Sequence, residues 1–323
     1  MLLHVVHETR YRYAPAVVNA HHVVYLKPAQ HDGQTLLDYA LRIDPAPVQL
    51  RETVDGYGNT RSYFSLQAAH DCLTVVADSI VSTRAFSPLQ AEAGPGEKAW
   101  TPLAWEQVRE QFRYRAGMAY DSASEFLFAS PYVPRDEAFT EFARPSFVPG
   151  RPLPEAARDL MERIHSTMTY ESESTEVSTP ALEALQQGKG VCQDFAHIMV
   201  ACCRAMGLPA RYVSGYLLTK PPPGQPRLVG SDASHAWASV YCPGAGHAPG
   251  QWLDFDPTNN RAPGEDYVTL ATGRDFLDVS PMRGVIRGGA QHVLEVAVTV
   301  EPIDPGALAG PADSAGAPRH QQM

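Results

Sequence analysis

The stretch from Gly188 to Pro209 constrains this chain more than any other. It reads Gly188-Lys189-Gly190-Val191, then Cys192 to Met206 with His197 the one polar side chain between Phe195 and Cys203, then Gly207-Leu208-Pro209. The apolar run, the glycine stop and the proline after it predict a helix over 192–206. A helix apolar on much of its surface must be buried on much of its surface. Other elements therefore have to wrap it. Helices are predicted before it over 154–167 and 181–187, the first opened by Pro154 with Leu160, Ile164 and Met168 on one face. Strands are predicted after it over 210–219, 235–241 and 251–255, with a late strand over 292–300. Helices followed by a sheet give an α+β layout.

At 323 residues the chain has room for two domains. Its first part is patterned as strands: 3–13, 21–26, 37–44, 60–66 and 73–81, with Asp55-Gly56-Tyr57-Gly58-Asn59 as a turn between two of them. Close spacing of strands predicts a small β-sandwich over residues 1–84. Residues 85–150, broken by seven prolines from Pro88 to Pro149, read as a connector with a short helix near 105–113. The domain that carries chemistry runs over 151–304. The tail, 305–323, is rich in Pro, Gly, Ala and Ser and reads as disordered.

Composition removes several classes of function. The net charge is −10, and without a basic block there is no nucleic-acid footprint. No apolar run approaches the roughly 18 residues of a membrane span. The N-terminus soon turns polar and does not read as a signal peptide. Five cysteines, an odd and irregularly spaced set, argue against a disulfide framework and for a reducing compartment. The expectation is a soluble, cytoplasmic protein. Cys202 and Cys203 read as core residues, and Cys72 and Cys242 as buried thiols in or beside strands.

Cys192 differs from the other four. Gly188 and Gly190 lead into it, and the helix begins at the thiol. A lone cysteine there is ordinarily a small buried residue. A helix N-terminus, however, favours negative charge through its free N–H groups, so it favours a thiolate and can hold an oxyanion. Two downstream residues turn the balance. His235 begins a predicted strand after a polar loop, where a base could hold and return the thiol proton. Asp256 closes the strand 251–255 before Pro257 and is placed to orient the imidazole. Asp254 points to the same face by strand alternation and remains the alternative. Asp194, in the first helical turn, reads as a cap or brace. Tyr170, Gln186 and Gln187 are candidates to assist the Cys192 N–H as oxyanion donors. A zinc site from Cys192, His197 and His235 lacks any supporting ligand spacing.

Four motifs in order, Gly190-Val191-Cys192-Gln193-Asp194-Phe195-Ala196-His197, Ala210-Arg211-Tyr212-Val213-Ser214-Gly215-Tyr216, Ser234-His235-Ala236-Trp237 and Asp256-Pro257-Thr258-Asn259, resemble the bacterial transglutaminase-like superfamily. The first 80 or so residues resemble the β-rich domain that often precedes its core, and Arg283-Gly284-Val285 and Arg287-Gly288-Gly289 resemble the segment that follows it. The resemblance implies an N-terminal β-sandwich followed by a papain-like transglutaminase core, helices packed on an antiparallel sheet, with a Cys-His-Asp triad at Cys192, His235 and Asp256. It implies a thiol-dependent amide or peptide hydrolase acting on a peptide or protein. Transglutaminase-type acyl transfer to primary amines is the alternative, and a non-catalytic peptide-binding module is the alternative of another class. No cofactor and no metal are expected; the chain shows no acidic loop of calcium-binding spacing.

Overall fold

The computed structural model describes residues 1–85, 100–172, 174–175, 177–219, 234–245 and 250–304. The predicted tail and the loop at 220–230 lie outside them.

Strand β1 (Leu2–Val24) organises the first half. Burial alternates along it through Leu3, Val5, His7 and Thr9, as a period of two requires. Sequence patterning divides it into two strands, but the backbone continues and changes partners on the way. Its first part pairs with β5 (His70–Thr83) on one edge and β13 (Gln291–Pro302) on the other. Its last residues pair with β4 (Thr60–Leu66) and β12 (Met282–Gly288). Outside these lie β2 (Gln34–Asp44) on β5 and β3 (Gln49–Val54) on β4. All seven form one sheet. The separate β-sandwich expected within residues 1–84 is therefore not what is built. Two strands from residues 282–302 complete the sheet, and one hydrophobic cluster draws on β1, β4 and β5 together through Val17, Phe64, Leu73 and Val75.

The second half is a four-stranded antiparallel sheet under helices. Its order is β10 (Gln251–Phe255), β9 (Ser234–Cys242), β8 (Ala210–Leu217) and β11 (Tyr267–Gly273). Helix α5 (Cys192–Ala205) lies on β8 and β9. Around α5 pack α2 (Glu137–Ala143), α3 (Leu153–Thr167) and α4 (Ala181–Gln187). Helix α1 (Trp105–Gln111) leans on α3. The segment read as a connector contributes Trp105, Val108, Phe139 and Phe147 to the same core as Phe195, Ile198 and Met199. Among the described residues, Pro102 and Pro134 stand just before short helices and Pro145 just after one. A two-residue parallel pair, β6 (Thr169–Tyr170) with β7 (Lys189–Gly190), brings the end of α3 beside the start of α5. Helix α6 (Phe276–Val279) follows β11.

Two amide side chains join the halves. Gln34 donates to the Thr269 carbonyl and accepts its N–H, both at 2.8 Å. Asn59 does the same with Thr272, also at 2.8 Å. Each amide imitates a neighbouring strand on the edge of β11. Asn59 is itself held by Asp55, which accepts from Tyr57 N, Asn59 N and Asn59 Nδ2 at 2.9 Å. The turn motif near residue 57 thus positions an inter-domain clamp.

All five cysteines are free thiols. Cys202, Cys203 and Cys242 are buried, as expected, whereas Cys72 is exposed. Strand alternation breaks at the start of β5, where His70 is buried and both Asp71 and Cys72 face outward.

Candidate functional site

The first turn of α5 is held by its third residue. Asp194 Oδ2 accepts from Val191 N at 2.8 Å and from Thr175 Oγ1 at 2.6 Å. Burial raises the Asp194 carboxyl, against the pull of Thr175 and the Val191 N–H. The carboxylate thus folds back as a cap. Gly190 makes room for it: a Cβ there would come within 2.6 Å of Asp194 Oδ2. Gln193 Nε2 ties the preceding loop down by donating to the Val177 carbonyl at 2.9 Å. These contacts set the Cys192 side chain, partly exposed, at the helix start, with its Sγ 4.0 Å from the Ser234 carbonyl oxygen.

His235 is the second residue of β9, opposite Gly215 of β8. Its Nε2 lies 2.7 Å from Asp256 Oδ2. Burial opposes a charge on this ring, but the bond to Asp256 and the adjacent Cys192 outweigh it and hold His235 up at about 9. Both contacts favour the charged ring over the neutral one.

Asp256 is completely buried. Its carboxylate accepts five hydrogen bonds: Oδ2 from His235 Nε2, Tyr267 OH at 2.6 Å and Asn259 Nδ2 at 2.7 Å, and Oδ1 from Thr258 N at 2.9 Å and Asn259 N at 3.2 Å. Burial alone would raise this carboxyl; His235, Tyr267 and Asn259 together lower it. The turn that supplies three of the donors closes with Asp256 N to Arg261 O at 2.9 Å, and Asn260 takes a positive φ of 52° within it.

The structure thus brings Cys192, His235 and Asp256 together and leaves Asp254 apart. Asp254 lies near Arg211 and His31. Of the three oxyanion candidates, Tyr170 stands beside Cys192: it pairs with Gly190, and burial together with Cys192 raises its hydroxyl. Gln187 spends its amide on Glu183 at 3.0 Å, and Gln186 is exposed on α4. His197 is fully buried away from this group, accepts from Phe276 N at 3.1 Å and is pushed down to about 3 by burial and Arg204. It anchors α6. Among the described residues no three His, Cys, Asp or Glu side chains are grouped to hold a metal ion.

Two residues of the site escaped sequence reasoning. Asn259 sits inside the Asp256-Pro257-Thr258-Asn259 motif, so the motif was the available signal. Tyr267 belongs to β11, which was not anticipated, and no local signal points to it.

Comparison with known proteins agrees with the geometry. Residues 3–82 match the bacterial transglutaminase-like N-terminal region. Residues 140–257 match the core of the transglutaminase-like superfamily. An uncharacterized protein of Mycobacterium tuberculosis is 42% identical over 307 residues, 94% of each chain. The chain belongs to the transglutaminase-like superfamily. Within that superfamily, an uncharacterized protein of Mycobacterium leprae is 31% identical over 304 residues, 92% of this chain and 98% of that one. A protein-glutamine gamma-glutamyltransferase of Pseudomonas aeruginosa is 39% identical over 75 residues, 23% of this chain and 10% of the other. A crystal structure of a candidate cysteine protease from Cytophaga hutchinsonii superposes with a TM-score of 0.67 at 21% identity, covering 94% of this chain and 92% of that one. That likeness extends the shared fold across both halves of the molecule. Members of the superfamily are typically cysteine peptidases or acyltransferases.

Proposed function

We propose that this transglutaminase-like protein is a thiol-dependent hydrolase of amide or peptide bonds, with Cys192 as nucleophile, His235 as acid and base, and Asp256 as the group that orients the imidazole. The observation that carries the reading is the His235 ring, which lies next to the Cys192 thiol and bonds at 2.7 Å to a buried carboxylate saturated with donors. Such a carboxylate fixes one ring orientation and stabilises the imidazolium without taking the proton itself.

The Cys192 thiolate attacks the carbonyl carbon, and the C–S bond forms as the carbonyl π pair moves to oxygen. The Cys192 N–H, with Tyr170 beside it, faces that oxyanion. The C–N bond then breaks, and the His235 imidazolium gives its proton to the leaving amine. Neutral His235 next takes a proton from water as the water oxygen attacks the thioester. The C–S bond breaks, the acid is released, and the thiolate–imidazolium pair returns. The substrate is a peptide or protein, with no nucleic acid or membrane partner.

Acyl transfer differs only in the last acceptor, a primary amine in place of water. Favouring an amine needs a site that binds it or excludes water, and the reading takes water as the main acceptor. The test is mass spectrometry of the protein and its products with a peptide library, with and without millimolar primary amines. A thioester adduct on Cys192 and carboxylate products are expected. Predominant amide products would make acyl transfer the function. Peptide binding with neither adduct nor product would leave a binding module.

A further inference from the structure

The two halves enclose a cleft of about 790 Å³. One wall is the sheet face turned away from α5, with Arg211 of β8, Trp237 of β9, Trp252 and Asp254 of β10 and Tyr267 of β11. The other is formed by segments 29–34, 57–59 and 83–85. Its volume is that of a small-molecule site. Cys192 and His235 do not line it: the rings of Trp237 and Tyr267, packed edge to face at 5.4 Å, stand between it and the imidazole.

Among the described residues, two donors on the wall have no acceptor. Trp237 is fully buried, and its Nε1–H has no partner. The Nε–H of Arg211 is buried and equally unpartnered. The Arg211 side chain crosses β9 and lays its guanidinium 4.2 Å over the Trp252 ring. Burial lowers Arg211 to about 10, and Asp254 opposes the shift from a distance without forming an ion pair among the described residues. Folded proteins leave few buried donors unpaired, because each carries its full desolvation cost. The remaining charges on the lining are Arg84 and Arg158 against Asp32 and Asp254, with burial keeping His31 toward its neutral form. With Arg211 the lining is positive on balance, in a chain whose net charge is −10.

We propose that this cleft is a second ligand site, for a carboxylate monoanion with an apolar or aromatic body. Both unpaired groups are donors, so the ligand must bring acceptors. A planar guanidinium held over an indole can offer its donors to a planar carboxylate in a two-pronged bond. The apolar parts of the lining, Trp252 and Leu253 among them, then meet the ligand body. Asp254 and Asp32 limit the charge that fits, which disfavours a dianion such as phosphate.

The full-length Cys192→Ala protein tests this, since it binds without reacting and its outcome does not depend on the proposed chemistry. It is titrated with N-acetyl-L-phenylalanine, with N-acetyl-L-phenylalaninamide and inorganic phosphate as comparisons. Calorimetry gives affinity, and proton–nitrogen spectra follow the indole N–H signals of the 4 tryptophans. The acid is expected to bind saturably, and about tenfold or more tighter than the amide. The Trp237 signal, assigned with Trp237→Phe, should move downfield while Trp100 and Trp105 stay in place. Arg211→Gln should abolish the binding. If that variant does not fold, the acid-to-amide ratio and the Trp237 shift decide without it. No binding of the acid, equal binding of acid and amide, phosphate binding as tight as the acid, or a stationary Trp237 signal at saturation would each overturn the proposal.

Discussion

Asp254 and Asp256 stand two residues apart, one inside β10 and one just past its end, in two different regions. The Asp256 region closes on itself: five donors converge on one carboxylate, and the carboxylate itself is fully buried. The Asp254 region is open. Its carboxylate is partly exposed on a cleft wall where Arg211 and Trp237 keep donors without acceptors. The strand supplies the same chemistry to both positions, and their place along it separates them. Asp256 is where β10 turns, so the turn's own N–H groups and Asn259 fold back on it. Asp254 lies within the strand, where backbone donors are spent on β9 or point along the sheet. A carboxylate at a strand end can be satisfied locally and used to orient a neighbour. One in mid-strand depends on whatever the facing domain brings.

If the Asp256 region performs the chemistry, the largest effect belongs to the thiol. Cys192→Ala should abolish turnover and leave the thermal midpoint close to that of the parent, since the side chain is only partly buried. Turnover near the parent rate would remove the nucleophile assignment. His235→Ala should be as severe, measured by steady-state kinetics on the same peptide. Asp256→Asn should leave a measurable residue, down by roughly 10³–10⁴, because the amide holds the ring less well and carries no charge.

The pH profile sharpens the contrast. His235 is charged below its folded value of about 9 and loses the proton above it. Activity that needs the imidazolium should therefore fall on the alkaline side with a midpoint near 9. The same group stabilises the fold: its contribution is complete below the unfolded value of 6.5 and disappears as pH rises through about 9. In Asp256→Asn the charged partner is gone and burial dominates, so the alkaline limb should move to lower pH. An unmoved limb would mean that Asp256 does not set the ionisation of His235.

Smaller effects come next. Tyr267→Phe removes one of the five donors and keeps the ring against Trp237. A loss of about tenfold in kcat/KM is expected, in line with one hydrogen bond to a charged group. Asp254→Asn should change turnover least of all, within about twofold, because it makes no bond to His235. If Asp254→Asn were damaging and Asp256→Asn silent, the assignment of the two regions would have to be exchanged.

Much of the second half could be read from local pattern. The helix at Cys192, the short helix at Ala181–Gln187 and the strand Gln251–Phe255 lie where apolar spacing, glycine stops and prolines put them. The first half was harder. Leu2–Val24 reads as two strands because Pro15 and Asn19 interrupt the alternation, yet the structure carries it through by giving each part different partners. β3, β11, β12 and α2 were missed. Each is short; β11, β12 and α2 are placed by segments far away in the chain, and β3 by its hairpin partner β4.

The sequence by itself determined that an apolar helix begins at a cysteine, that a histidine opens a strand, and that Asp254 and Asp256 share a face. These are local facts, since capping, periodicity and strand alternation are set by residues a few positions apart. Only the tertiary structure decided which aspartate meets the imidazole, that Tyr267 joins it, that Cys72 is exposed, and that residues 282–302 complete the first sheet. Those outcomes depend on strand register and on side chains converging from remote segments, and a one-residue slip of register would turn every one of those side chains to the other face.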